Sequence, residues 1–143
     1  MITCFVPDLT HLRYYIPLAI TAQKIGIDVT FAYNLERKKY NGLAIPSNLE
    51  RLMQIATEYS WINWINIHER KPKTKFLFTV ENLGSNLITC EHHFTIQHGF
   101  DYITEGNKGP ESTTYIVNSF LHSDHLQKIH TRKCFIPSVP VSF

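Results

Sequence analysis

Short runs of apolar residues, each long enough for one β-strand, constrain the fold of this chain more than any other feature. The first run, Ile2–Val6, is apolar at almost every position and ends at Pro7-Asp8. A strand without a polar face has to be buried on both sides, which is typical of a parallel sheet. The run therefore predicts a strand near the centre of such a sheet.

A stretch with helical spacing follows the first strand. Pro17 suits the first turn of a helix, and Gly26 suits the position just after a helix end. The apolar residues between them recur at helical intervals: Leu18, Ala19, Ala22 and Ile25. The pattern predicts a helix that leads into a second strand.

The clearest helix pattern comes later in the chain. Ser47 and Glu50 form a capping box with Ser47 as the N-cap. Apolar residues then recur at the spacing of an amphipathic helix as far as Tyr59. Further strands are predicted over residues 28–33, 61–67, 76–80, 94–97, 115–117 and 134–136, and a last helix over residues 123–130.

This alternation of strands and helices predicts an α/β fold. The expected architecture is a Rossmann-like, doubly wound, mostly parallel sheet with helices on both faces. The length of 143 residues fits a single domain over residues 1–143.

Composition narrows the class of function. Hydrophobic residues make up 43% and charged residues 18% of the chain, which is a globular composition. The formal net charge of +2 gives no large field to attract nucleic acid, so no nucleic-acid partner is expected. Three cysteines without a Cys-x-x-Cys spacing favour a reducing compartment over a disulfide framework.

No stretch of the sequence resembles a targeting or membrane segment. The first residues carry no basic region and no small-residue cleavage site. No apolar run reaches the roughly 18 to 20 residues that span a bilayer. We therefore expect a soluble, cytoplasmic protein whose membrane contact is peripheral at most.

The predicted sheet selects candidate ligand-binding residues before any motif does. In an open parallel sheet, ligands bind outside the carboxyl ends of the strands. Polar residues that follow the predicted strands are Asp8, Thr10, His11, Asn34, Glu36, Arg37, Lys38, Glu81, Asn82, His98, Asp101, Asn118 and Ser119. The alternative explanation is that these positions are loops, and loops are polar in any protein.

The sharpest local motif is Gln97-His98-Gly99, in which Gln97 ends a predicted buried strand and His98 follows it. Gly99 allows a tight backbone turn, which leaves the imidazole of His98 at the ligand edge of the sheet. A histidine there can act as a general base near neutral pH, taking the proton from an attacking hydroxyl. A structural hydrogen bond from His98 explains the same pattern equally well.

Other residues admit two readings each. Arg37 and Lys38 could hold a phosphate or an anionic acceptor, although a solvated charge run is the simpler reading. The pair His122 and His125 has an i, i+3 spacing and no obvious third ligand, so no metal is expected.

Three further predictions concern surface and core. The basic residues Arg70, Lys71, Lys73 and Lys75 are expected in a loop at the opposite edge of the sheet. Trp61 and Trp64 are expected to pack in the core or at a domain interface rather than to form a sugar platform. Cys4 is expected to be a buried, inert thiol.

Several short motifs resemble the N-terminal domain of GT-B glycosyltransferases. Phe5-Val6-Pro7, Leu18-Ala19 and Ile25–Phe31 are similar to the first βαβ unit of those enzymes, with Asp28 where their pattern usually has His. Ile96–Gly99 is similar to their Q-H-G or W-H-G element, notably in bacterial surface-polymer and glycerophosphotransferase-like proteins.

The resemblance continues through the last third of the chain. Thr114–Ser119 and Ser123–Leu126 resemble a later strand and helix of that domain. Ile136–Pro140 resembles the segment that leads into the interdomain linker, with Ser138 in place of the usual Gly. The resemblance therefore covers most of the chain through short motifs.

The resemblance implies an acceptor-binding half-enzyme. His98 would be the base or a phosphate-contacting group, and the acceptor would be a carbohydrate or a polyol phosphate. By the same resemblance, the nucleotide-sugar donor would bind mostly to a C-terminal domain or to a partner chain that supplies it. The residues add a separate point: without a Gly-x-Gly-x-x-Gly motif or a P-loop, a dinucleotide or P-loop site is not expected in this chain. No cofactor is expected in this chain itself. The alternative is a non-catalytic Rossmann-like binding module or subunit.

Overall fold

A computed structural model describes residues 1–34, 39–40, 43–44, 47–80, 84–96, 113–116 and 133–135. The strands are β1 (Ile2–Val6), β2 (Val29–Tyr33), β3 (Lys39–Tyr40), β4 (Leu43–Ala44), β5 (Asn63–Asn66), β6 (Lys73–Val80), β7 (Thr89–Ile96), β8 (Thr113–Ile116) and β9 (Lys133–Phe135). The helices are α1 (Leu12–Lys24) and α2 (Ser47–Glu58), and a 3₁₀ turn spans Leu9–His11.

Seven strands form one sheet in the order β5-β2-β1-β6-β7-β8-β9, and every neighbouring pair is parallel. The two short strands β3 and β4 form a separate antiparallel pair. From β1 the chain adds strands outward on one side, then returns to add β6 to β9 on the other. The direction of winding therefore reverses between β1 and β6. The chain has the α/β, Rossmann-like fold that the sequence predicts.

Both described helices pack on one face of the sheet. Tyr15 of α1 is fully buried against Phe31 of β2, with ring centroids 6.0 Å apart. Cys4 lies in the same apolar cluster, and Ile55 of α2 packs against it. Burying an aromatic or aliphatic side chain of this size contributes roughly 1.5–3 kcal/mol, so this layer is a main source of stability.

The second face of the sheet is buried as well. Phe5, Ala32, Ile67, Leu77 and Ile88 form its apolar cluster. Successive residues of a strand point to opposite faces, so each central strand supplies both layers. Burial on both faces confirms the interpretation of Ile2–Val6 as a central strand.

The first helix corrects one prediction. It begins at Leu12, so Pro17 lies inside the helix and not in its first turn. The 3₁₀ turn runs directly into α1, so the α-helix is already formed five residues before the proline. The helix end is as predicted, because Gly26 follows it with a φ of 75°.

Several strand bounds differ from the predictions. β6 starts at Lys73 and not at Phe76, and β7 starts at Thr89 and not at Phe94. Lys73 and Lys75 therefore lie in a strand, although both side chains are exposed at the amino edge as expected. The strands β2, β5, β8 and β9 lie within about two residues of their predicted starts.

In the described part of the chain, neither helix has the length and apolar character needed to cross a bilayer.

Candidate functional site

The first candidate residues follow β1 at the carboxyl edge of the sheet, beside the reversal between β1 and β6. Asp8 has an extended backbone and serves as the N-cap of the 3₁₀ turn. Its Oδ1 accepts a hydrogen bond of 2.8 Å from the backbone N–H of Thr10. The N–H of His11 donates to the carbonyl of Asp8 over 3.2 Å. These bonds fix the backbone that leads from β1 into α1.

The three predicted residues of this turn differ in exposure. The side chain of Thr10 is exposed, whereas Asp8 and His11 are half-buried and Nδ1 of His11 is shielded from solvent. The structure therefore brings Asp8, Thr10 and His11 together at the edge where the sequence predicts them. The carboxylate of Asp8 is partly engaged in holding the turn, since side-chain caps satisfy N–H groups that a helix start leaves unpaired.

A second polar group lies at the same edge, after β2 and β5. Oδ1 of Asn34 is 2.9 Å from Nε2 of His68, so the imidazole donates and the amide oxygen accepts. The backbone N–H of His68 donates to Oδ1 of Asn66 over 3.0 Å. Backbone bonds from Asn34 to Val6 and from Ile67 to Tyr33 tie the ends of the three strands together.

His68 was not among the predicted site residues. The predicted strand over residues 61–67 ran one residue past the true end of β5 at Asn66, and His68 was grouped with the basic loop. The sequence did contain a signal for His68, because it follows Asn66, the last residue of β5, by two positions. The structure places His68 beside Asn34, which the sequence did select.

The remaining predicted site residues lie outside the described residues. They are Glu36, Arg37, Lys38, Glu81, Asn82, Gln97, His98, Gly99, Asp101, Asn118 and Ser119. The strand that precedes Gln97-His98-Gly99 ends at Ile96, one residue earlier than predicted. The role of His98 thus stays a prediction. The paired histidines His122 and His125 are also outside the described ranges.

A buried histidine lies in the middle of the sheet and not at its edge. His93 of β7 is fully buried on the second face, between Thr79 of β6 and Thr113 of β8. Its Nε2 is 2.8 Å from Oγ1 of Thr79, and its Nδ1 is 2.7 Å from Oγ1 of Thr113. Burial lowers the pKa of His93 to about 4. A neutral imidazole can donate to one hydroxyl and accept from the other, so His93 joins three strands.

The thiol of Cys4 behaves as predicted. Cys4 and Cys90 are free, and Cys4 is fully buried in β1. Burial raises the pKa of the Cys4 thiol far above its usual value, which leaves it protonated and unreactive. Among the described residues, no group of three His, Cys, Asp or Glu side chains is arranged to hold a metal ion.

The two tryptophans have different environments. Trp64 packs edge-on against Phe31 at 5.0 Å, and its Nε1 donates to the carbonyl of Tyr59 over 3.1 Å. Trp61, by contrast, is 41% exposed. Packing in the core is therefore confirmed for Trp64 and not for Trp61, for which packing at a domain interface stays a prediction.

Comparisons with protein-family models, with curated proteins and with solved structures give no match for this chain.

Proposed function

We propose that this chain is the acceptor-binding, N-terminal half of a GT-B glycosyltransferase. The supporting observation is a seven-stranded parallel sheet whose winding reverses between β1 and β6, with the turn of Asp8, Thr10 and His11 beside that reversal. Ligands of open α/β sheets bind at such a reversal, outside the carboxyl ends of the strands. The acceptor in this proposal is a carbohydrate or a polyol phosphate.

The chemistry assigned to the site is transfer of a sugar from a nucleotide-sugar donor to an acceptor hydroxyl. His98 takes the proton from that hydroxyl as its oxygen bonds to the anomeric carbon of the sugar; the bond from that carbon to the donor phosphate breaks, and the nucleotide leaves with the bonding electrons. The remaining proposed contacts to the acceptor come from Arg37, Lys38, Gln97, Gly99, Asn118 and Ser119. The donor belongs to a C-terminal domain or a partner chain, and the chain alone is expected to be inactive.

A cytoplasmic location is part of the proposal. Cys4 and Cys90 are both free thiols. Free thiols persist in reducing compartments, whereas secreted domains of this size commonly carry disulfides.

One observation favours the alternative of a non-catalytic binding module. The side chains of Asp8 and Asn34 are engaged in hydrogen bonds with Thr10 and His68. Polar groups used in this way hold loops in place. A recruiting subunit on the same fold needs no general base, and its edge residues can be purely structural.

The test uses the native assembly that contains this chain, supplied with radiolabelled nucleotide sugars. In the assembly, His98→Asn should lower the transfer rate by about 10²- to 10⁴-fold, the size of a general-base contribution. The melting temperature should stay unchanged. His92→Asn is the matched control, because His92 is an exposed histidine of the preceding strand.

Two outcomes would contradict the proposal. If His98→Asn lowers the melting temperature and leaves activity per folded molecule unchanged, His98 is structural. If the pure 143-residue chain transfers sugar by itself and loses that activity in His98→Ala, the donor site lies within this chain.

A further inference from the structure

A cleft of about 410 Å³ lies at the amino edge of the sheet, opposite the proposed acceptor site. It forms where α1 leads into β2 and where α2 leads into β5. Its lining includes Met1, Gln23, Ile27, Asp28, Trp61 and Asn63. Small-molecule sites are concave, have volumes of roughly 300–1,000 Å³, and combine apolar walls with a few polar groups. The volume of the cleft falls within this range, and its lining combines apolar residues such as Met1 and Ile27 with polar residues such as Gln23 and Asn63.

Trp61 gives the cleft an exposed aromatic surface. The rings of Trp61 and Tyr59 contact each other edge to face, with their centroids 6.4 Å apart. This contact supports one part of the indole while 41% of the residue remains open to solvent. Trp64, three residues on, has its indole N–H bonded and its ring packed, so exposure at Trp61 is specific to that position.

The polar groups of the cleft suit a ligand rich in hydroxyls. Asp28, Gln23 and Asn63 are exposed and supply carboxylate and amide groups that can accept and donate. Asn63 Nδ2 donates to Oγ1 of Thr30 over 3.2 Å, which fixes the orientation of its amide.

The charged groups of the lining balance each other. Asp28 contributes a negative charge, Met1 contributes the α-amino group, and the lining contains no lysine or arginine. The cleft therefore has no surplus of positive charge to attract a phosphate or a nucleotide. Apolar residues, an exposed tryptophan and hydrogen-bonding groups of balanced charge suit a neutral sugar, which has apolar C–H faces and polar hydroxyl edges.

We propose that the amino-edge cleft binds a neutral saccharide, with a C–H face stacked on Trp61 and hydroxyls bonded to Asp28, Gln23 and Asn63. The site is separate from the acceptor site and does not depend on the proposed transferase function. In a transferase it would hold a distant part of the carbohydrate chain. In a binding module it would be the recognition site itself.

The test is a titration of the ¹⁵N-labelled chain with neutral tetrasaccharides of glucose and of N-acetylglucosamine, followed by NMR. The indole N–H signal of Trp61 should shift, and that of Trp64 should stay in place as the internal control. Trp61→Ala should weaken binding by about tenfold or more, the loss expected for an aromatic contact. Asp28→Ala should also weaken it, without altering the aromatic packing.

Met53→Ala is the matched control, since Met53 is 63% exposed and is not among the residues that line the cleft. It should bind the saccharides as the wild type does. If no neutral saccharide moves the Trp61 signal, or if Trp61→Ala binds as well as wild type, the proposal is wrong. A signal that responds to an apolar dye and not to saccharides identifies a protein-docking surface instead and also overturns it.

Discussion

At the scale of single residues, His93 shows how this sheet accommodates polar groups in its interior. The imidazole uses both nitrogens on the hydroxyls of Thr79 and Thr113. An unpaired buried polar group costs about 1–3 kcal/mol, so these two threonines make the histidine tolerable. The arrangement also requires a neutral ring, because a protonated imidazole has two donors, adds a charge and is poorly solvated there.

This requirement predicts a specific pH dependence of stability. The unfolded chain takes up a proton at His93 near its ordinary pKa of 6.5, whereas the folded protein does so only near pH 4. Stability is therefore fully present above pH 6.5 and falls as the pH drops from about 6.5 to about 4, by at most about 3 kcal/mol. Urea unfolding across this range measures the loss.

His93→Gln should remove this component of the pH dependence, and His92→Gln, which changes an exposed histidine of the same strand, should retain it. The C2 proton signal of His93 provides an independent measurement in the wild-type protein. A titration of that signal near pH 6.5 in the folded state would show that the buried ring is not held neutral.

At the scale of elements, the sequence predicts strands well where burial is uniform and poorly where it alternates. β1 was predicted to the residue because it is apolar and ends at Pro7-Asp8. The first half of β7 reads as polar, so its strand character was missed. The partners that allow His93 to be buried come from β6 and β8, 14 and 20 residues away. No local pattern contains that information.

The same limit applies to the candidate site. The carboxyl-edge rule needs only strand ends, and it gave the correct position for Asp8, Thr10 and His11; their role in binding stays a prediction. It could not foresee that Asp8 would cap a 3₁₀ turn or that His68 would bond Asn34. The sequence also could not distinguish Trp61 from Trp64, because a spacing of three residues does not show which of two indoles the turn after α2 leaves exposed.

Gly84 illustrates how the turn between β6 and β7 is fitted to the sheet. Its φ is +78°, and a Cβ at this position would overlap the side-chain ring of Phe5. Gly84→Ala should therefore lower the free energy of unfolding by about 2–4 kcal/mol, combining a strained backbone with displacement of a buried ring. Chemical denaturation of the variant and the wild type measures this difference.

Gly26 is the matched control, with a φ of +75° and no atom within 4 Å of a Cβ. Gly26→Ala should cost about 1 kcal/mol, the backbone contribution alone. Equal losses in the two variants would mean that the Phe5 ring yields freely and that the turn is not packed against it.

At the scale of the whole molecule, the sheet separates two chemical environments. The carboxyl edge carries the turn of Asp8, Thr10 and His11 and the pair Asn34 and His68. The amino edge carries the apolar, hydrogen-bonding cleft around Trp61. Under the two proposals made above, the transfer reaction would take place at the carboxyl edge and a saccharide would bind at the amino edge.

The most direct test of the proposed acceptor site is to determine which edge of the sheet binds a polyol phosphate. Titration of the ¹⁵N-labelled chain with glycerol 3-phosphate should shift the backbone amide signals of Thr10, His11 and Asn34 at the carboxyl edge. The signals of Asp28 and Asn63 at the amino edge should remain in place. Shifts confined to the amino edge, or none at either edge, would contradict the proposed acceptor site.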